Sequence, residues 1–116
     1  MNKVYGYSKC TTVKKALKFL DDNNIQYQHI DNVVEKLSIN QLQEFYNKSK
    51  LPLKKFFNTS GIKYKELKLK DKIPNISEAE CLALLASDGM LVKRPILVSS
   101  KGVAVGFKEQ EWLNLI

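Results

Sequence analysis

The first thirty residues change twice between strand and helix periodicity, and this change restricts the fold more than any other feature. Residues 4–7 are apolar and aromatic, which is typical of a short strand. Residues 12–20 then carry apolar side chains at helical spacing, at Val13, Ala16, Leu17 and Leu20. We expect Thr11 or Thr12 to cap this helix. Residues 25–30 predict a second strand, so the segment forms a βαβ unit with a right-handed crossover.

Two capping boxes mark further helices. Ser38-Ile39-Asn40-Gln41 opens one helix and Ser77-Glu78-Ala79-Glu80 opens another, which Asp88-Gly89 closes. Pro52 suits the first turn of a short helix that ends before the turn at residues 58–61. Residues 96–98 and 103–105 flank a turn and predict a β-hairpin, and residues 109–115 predict a terminal helix.

The order of elements is therefore βαβ, inserted helices, helix, hairpin, helix. This is the order of an α/β thioredoxin-like fold with a mixed four-stranded sheet. With 116 residues, we expect a single domain over residues 1–116, with the helical insertion at about 32–76. We also expect a monomer.

The chain carries a net charge of +7, almost all of it from lysine. Its lysines are densest between residues 48 and 72, and Arg94 is its one arginine. Since arginine is the main reader of bases, direct binding of nucleic acid is not favoured, whereas an acidic partner remains open. The sequence has neither an apolar run of membrane-spanning length nor a signal-peptide pattern, and its two cysteines lie far apart. We therefore expect no membrane association and a cytoplasmic location.

Cys10 and Arg94 are the residues most suited to chemistry. Cys10 lies where the first strand meets the first helix, and a helix N-terminus with cations nearby favours a thiolate. We expect Lys9 to lower the pKa of the thiol, and Thr11 and Thr12 to offer N–H and hydroxyl donors. Arg94 precedes Pro95 and the third strand, where its guanidinium would bind an oxyanion. The alternatives are a packed cysteine and an ordinary surface arginine, and the sequence leaves open whether the Arg94–Pro95 bond is cis.

The other reactive side chains indicate no second centre. Val13 occupies the partner position of a Cys-x-x-Cys motif, so Cys10 would act as a monothiol. Cys81 lies among apolar helix residues and is expected in the core. His29, the one histidine, has no cysteine or carboxylate at ligand spacing, and no metal site is expected.

At these motifs the sequence resembles the ArsC-type reductase family, and most closely its YusI/YffB branch. The family also includes arsenate reductases and the regulator Spx. The matching segments are residues 5–10 with 14–16, 57–61 with 64–67, 84–89 with 93–95, and 107–109. The resemblance covers essentially the whole chain, and it implies a thioredoxin-like fold with inserted helices.

The resemblance implies a thiol-dependent reductase with Cys10 as nucleophile and Arg94 as an anion anchor. Arsenate reductases of this type hold the oxyanion with three arginines; here the other two positions fall near Lys54 and at Phe107, beside Lys108. The implied substrate is a small oxyanion or a disulfide. No bound cofactor is implied; glutathione or another small thiol would act as co-substrate, or a glutaredoxin-like or thioredoxin-like protein as reductant.

The alternative is an Spx-like regulator that binds the C-terminal domain of the RNA polymerase α subunit. Many Spx proteins carry a Cys-x-x-Cys redox switch, which Val13 removes here. A regulator of this kind would lack the dithiol switch, and its contact surface would be the basic residues 48–72.

Overall fold

Four short strands form one mixed sheet in the computed structural model, which describes residues 1–116. The strands are β1 (Asn2–Tyr5), β2 (Tyr27–Ile30), β3 (Ile96–Ser99) and β4 (Gly102–Val105). Their order across the sheet is β2-β1-β3-β4. β1 and β2 are parallel, whereas β3 is antiparallel to both β1 and β4. The predicted α/β class and mixed four-stranded sheet are confirmed.

Six α-helices surround this sheet. They are α1 (Thr11–Asp22), α2 (Ile39–Ser49), α3 (Ile62–Glu66), α4 (Leu69–Lys72), α5 (Glu78–Ser87) and α6 (Glu109–Leu115). Short 3-10 segments cover Leu53–Phe56, Ile73–Asn75 and Gly89–Leu91. No helix combines the length and the apolarity that a membrane span needs.

The alternation of side chains along the strands divides the core between the two faces of the sheet. Val4 and Leu97 face a cluster that also contains Trp112 and buried residues of α1. Tyr5 and Ile96, their neighbours in sequence, face a larger cluster under α2, α5 and the 3-10 segments. Because successive strand residues point to opposite faces, these four short strands support helices on both sides.

The sequence predicts the start of a helix correctly where the N-cap residue bonds to a residue of the first helical turn. The Ser38 side chain accepts the N–H of Gln41, and the Gln41 side chain accepts the N–H of Ser38. Ser77 and Glu80 form the same reciprocal cap at α5. Both predicted capping boxes are therefore confirmed.

The structure differs from the sequence predictions at other boundaries. β1 begins two residues earlier than predicted, and β2 covers only the last four of residues 25–30. Cys10, not Thr11 or Thr12, is the N-cap of α1, so the predicted threonine cap is wrong. The short helices α3 and α4 lie in the lysine-rich segment, where no apolar periodicity marked them.

Candidate thiol site

Cys10 lies between the end of β1 and the first turn of α1. Its N–H donates to the Tyr7 carbonyl at 3.0 Å, and its carbonyl accepts the N–H of Lys14 at 3.1 Å. The side chain is partly exposed and forms no capping hydrogen bond of standard geometry. The sulfur therefore lies beside the unpaired N–H groups of the first helical turn, where a negative charge is stabilised.

The surroundings of Cys10 favour its thiolate. Burial raises the pKa of the Cys10 thiol, but the Val13 N–H, the Arg94 guanidinium and the Thr12 N–H together lower the pKa below its usual value. Lys9 is not among these groups; its side chain is exposed and does not line the cavity at Cys10. The effect of Lys9 on the pKa of the thiol stays a prediction.

Arg94 reaches the thiol from the other side of the site. It precedes β3, and the Arg94–Pro95 peptide bond is cis. The guanidinium carbon lies 5.9 Å from the centre of the Tyr7 ring, within cation–π range. Its Nη1 atom is buried and has no hydrogen-bond partner, and Arg94 forms no ion pair. The guanidinium thus has donors left for an incoming anion.

Pro95 is buried directly behind this pair. Its carbonyl accepts the N–H of Gly106 at 2.8 Å, which joins the start of β3 to the end of β4. Across the site, Gly6 leaves no room for a side chain, because a Cβ there would lie 2.6 Å from Val13 Cγ2 and 3.6 Å from Pro95 Cα. This close packing of β1, α1 and β3 holds Cys10 and Arg94 together.

Cys10 and Arg94 open into a cavity of about 540 Å³, which we call the thiol cavity. Thr12 also lines this cavity. The inserted segment supplies Asn58, Ser60 and Lys63, and Lys93 lies beside Arg94. Both carboxylates of this cavity, Glu66 and Asp88, lie with these cations and donors. A small polar or anionic ligand fits this lining.

A second cavity of about 410 Å³, which we call the basic cavity, shares Thr12, Lys93 and Arg94 with the thiol cavity. Lys55 and Lys108 complete its set of cations, and Glu111 is its one carboxylate. The two cavities therefore form a continuous surface along which positive charge extends away from Cys10.

The remaining predicted site residues are divided between these surfaces. Thr12 and Lys108 line cavities that contain Arg94, whereas Thr11 is exposed outside both. Lys54 lines neither; it lies on a neighbouring cavity of about 340 Å³ with Lys55 and Lys93. The structure thus places Lys54 away from the thiol that it was expected to serve.

Sequence reasoning missed Lys93, which lines all three of these cavities. Its position directly before Arg94 was the available signal. It also missed Asp31, whose carboxylate accepts hydrogen bonds from Ser8 in the loop before Cys10. Nothing in the local sequence links Asp31 to that loop.

Cys81 and His29 lie outside the reactive surface. Cys81 lies on the buried face of α5 and is only 5% exposed, and burial, then Glu80 and Glu78, raises the pKa of its thiol. Both cysteines are free. Nε2 of His29 lies 2.9 Å from the carbonyl oxygen of Gly6, so the histidine supports the loop before Cys10.

This geometry agrees with what sequence comparison finds, since the ArsC family model matches residues 5–115. The chain belongs to the ArsC family. It is 49% identical to the uncharacterised protein YusI of Bacillus subtilis, over 93% of this chain and 92% of that protein. It is also 25% identical to the global transcriptional regulator Spx of Lactiplantibacillus plantarum, over 93% of this chain and 81% of that protein.

Solved structures agree with this assignment. A putative ArsC family related protein from Bacteroides fragilis superposes with a TM-score of 0.95 at 46% identity, over 99% of this chain and 97% of that chain. A possible arsenate reductase from Streptococcus mutans UA159 superposes with a TM-score of 0.89 at 41% identity, over 98% of both chains. The predicted family and its thioredoxin-like fold are confirmed.

Proposed function

We propose that this ArsC-family protein is a monothiol reductase of anionic substrates, with Cys10 as nucleophile and Arg94 as anion anchor. The observation that supports this most strongly is that two separate parts of the fold, α1 and the residue before β3, both contact the Cys10 sulfur. The first turn of α1 and the guanidinium before β3 both lower the pKa of the Cys10 thiol. Such convergence is typical of reactive thiols and rare for packed ones.

The proposed reaction on a disulfide has two exchange steps. The Cys10 thiolate attacks one sulfur of the substrate, forms a mixed disulfide with it, and releases the other sulfur as a thiolate. An external thiolate then attacks the mixed disulfide on the substrate sulfur. This second step regenerates the Cys10 thiolate and leaves the substrate sulfur joined to the external thiol. Arg94 and Lys93 would hold an anionic group of the substrate beside the reacting sulfur.

The reductant must come from outside the chain. Val13 occupies the position of a resolving cysteine, and Cys81 is buried in the core. Glutathione, another small thiol, or a glutaredoxin-like or thioredoxin-like protein would supply the second thiol. The basic cavity, with Lys55, Lys93 and Lys108, would accommodate the carboxylates of glutathione. Since this chemistry needs a reducing compartment, we still expect the protein in the cytoplasm.

Turnover with defined substrates tests this proposal. The two substrates are arsenate and the mixed disulfide that glutathione forms with hydroxyethyl disulfide, which carries the glutathione carboxylates. Their reduction by glutathione is followed as NADPH consumption by glutathione reductase. We expect Cys10→Ser to abolish turnover and Cys81→Ala to retain it, because only the first removes the exposed thiol. Turnover of either substrate supports the proposal.

The proposal is wrong if Cys10→Ser turns over as fast as the wild type. Circular dichroism of each variant controls for loss of fold. A second reductant, thioredoxin with its reductase, is run in parallel, because activity with only one reductant identifies the class of external thiol.

The alternative function is an Spx-like regulator that binds the C-terminal domain of the RNA polymerase α subunit. Two observations favour it: the similarity to Spx, and the exposure of every lysine between residues 48 and 72, of which only Lys48 forms an ion pair. A binding assay with the purified domain separates the two functions. A regulator should bind with Cys10→Ser and fail when Lys63 and Lys65 are changed to glutamate.

A further inference from the structure

One carboxylate ties the loop before Cys10 to the rest of the fold. Asp31 follows β2, and its Oδ2 accepts the N–H of Ser8 at 3.0 Å and the Ser8 hydroxyl at 2.6 Å. Its Oδ1 accepts the N–H groups of Val33 at 2.9 Å and Val34 at 3.2 Å. The two carboxylate oxygens therefore hold two loops at once, the thiol loop and the chain that leaves β2.

Ser8 lies in the loop between Tyr7, which contacts Arg94, and the nucleophile candidate Cys10. Tyr7, on one side, places its ring against the Arg94 guanidinium, and Cys10, two residues on, donates its N–H to the Tyr7 carbonyl. The bonds to Asp31 are the only hydrogen bonds that join residues 7–9 to another part of the fold. Without Asp31 this segment would be held only at its ends.

We propose that Asp31 is a positioning residue for the thiol site, which through Ser8 holds the Cys10 sulfur against the first turn of α1 and the Tyr7 ring against Arg94. The inference rests on the proposed role of Cys10 as nucleophile, and assigns to Asp31 no contact with substrate. The proposed role depends on the pair of hydrogen bonds between Ser8 and Asp31.

The carboxylate remains charged under ordinary conditions. Burial raises the pKa of Asp31, but hydrogen bonds from the Ser8 side chain and from the N–H groups of Ser8, Val33 and Val34 lower the pKa to about 2. The hydrogen bonds to Ser8 are therefore made by a carboxylate at neutral pH, which strengthens them.

Charge and position have opposite effects on Cys10, and this makes the proposal testable. A carboxylate close to a thiol opposes formation of the thiolate, so loss of its charge alone would make Cys10 more acidic. If the loop at residues 7–9 shifted instead, the Cys10 sulfur would move away from the N–H groups of α1, and the pKa of the thiol would rise. The sign of the change therefore distinguishes a positioning residue from a nearby charge.

The test is the pH profile of Cys10 alkylation by iodoacetamide in Asp31→Asn. Asparagine has almost the same shape but only one acceptor oxygen, so its amide group must face one of the two pairs of donors. We expect alkylation at pH 7 to slow by about threefold to tenfold, the range for loss of one or two hydrogen bonds, with the profile shifted to higher pH. Ser8→Ala should show a smaller slowing, because the backbone bond remains, and Ser8→Thr should match the wild type.

The matched control is Asp21→Asn. This substitution removes an equal charge near the far end of α1, where the carboxylate accepts a hydrogen bond from Tyr27, and it should leave the profile unchanged. The charged groups that line the thiol cavity are the same in every variant: Lys63, Glu66, Asp88, Lys93 and Arg94.

The wild-type pH profile tests the proposed function of Cys10, and the difference between the wild-type and Asp31→Asn profiles tests the positioning role of Asp31. A wild-type Cys10 that titrates at the usual pKa of a thiol would contradict the proposed function itself. A lowered wild-type pKa that is unchanged, or lowered further, in folded Asp31→Asn would overturn the positioning role alone. If Asp31→Asn does not fold, Ser8→Ala decides, and alkylation at the wild-type rate would overturn the proposal.

Discussion

Replacement of Arg94 should reduce the reactivity of Cys10 without loss of stability. Arg94 interacts with the thiolate by its charge and its donors, and hydrogen bonds to charged groups contribute about 1.5–3 kcal/mol. Because Cys10 is partly exposed and its side chain makes no capping hydrogen bond, the lower limit of that range applies, about 1.5 kcal/mol. Arg94→Ala should therefore lower the thiolate population at pH 7 by about tenfold. The fold should tolerate the change, since Arg94 forms no ion pair and its Nη1 is already unpartnered.

Two alkylating reagents separate the effects of Arg94. Iodoacetamide is neutral and reports the thiolate population, whereas iodoacetate is an anion and also reports attraction by Arg94 and Lys93. We expect Arg94→Ala to slow iodoacetamide about tenfold and iodoacetate by more. Arg94→Lys, which keeps the charge but loses the planar fork, should lie between Arg94→Ala and the wild type.

The same pair of reagents can refute the reasoning. If Arg94→Ala reacts with iodoacetamide at the wild-type rate while remaining folded in urea titrations, Arg94 does not stabilise the thiolate. If both reagents slow equally, Arg94 acts on the thiol but does not attract anions, and the anion anchor is wrong.

Three further substitutions test the packing and hydrogen bonds around the site. Gly6→Ala would place a Cβ 2.6 Å from the buried Val13 side chain, so the free energy of unfolding in urea should fall by about 1–3 kcal/mol; a fall below about 0.5 kcal/mol would contradict this packing. Ser77→Ala removes the hydroxyl that accepts the Glu80 N–H and should cost about 1 kcal/mol in the same titration, and an unchanged midpoint would argue against the cap. Asp31→Asn should cost about 1 kcal/mol at pH 7 after allowance for solvent screening, as measured by thermal unfolding. Because the folded-state pKa of Asp31 is lowered to about 2, this stability is present above pH ~4 and is lost between pH ~4 and ~2; a difference from the wild type that persists at the lowest pH would exclude this cause.

Features made by neighbours in sequence could be predicted, and features made by distant segments could not. The caps at Ser38 and Ser77 each bond within three residues, so their sequence patterns are sufficient. The loop before α1 is bonded to Asp31, which is 23 residues from Ser8, and at the helix start itself Cys10 is the N-cap although no side chain makes a capping bond, so the threonines after it predict the wrong cap.

The candidate site also combines features that are local in sequence with features that depend on distant segments. Cys10 and Arg94 were found because a helix start and the start of a strand are local signals. Which lysines lie near them depends on how the inserted segment packs against β3, and no periodicity records this. The family resemblance implies Lys54 for the anion site, whereas Lys93 and Lys63 line the thiol cavity.

The most direct test of the account is the pH dependence of Cys10 alkylation in the native wild-type protein, measured by mass spectrometry with Cys81 as internal control. We predict that Cys10 titrates below the usual thiol pKa of about 8.5. Cys81 should stay unmodified until the protein unfolds, because it is 5% exposed and burial raises the pKa of its thiol. A Cys10 that titrates at or above the usual value, or reacts no faster than Cys81, would contradict a thiolate stabilised by α1 and Arg94.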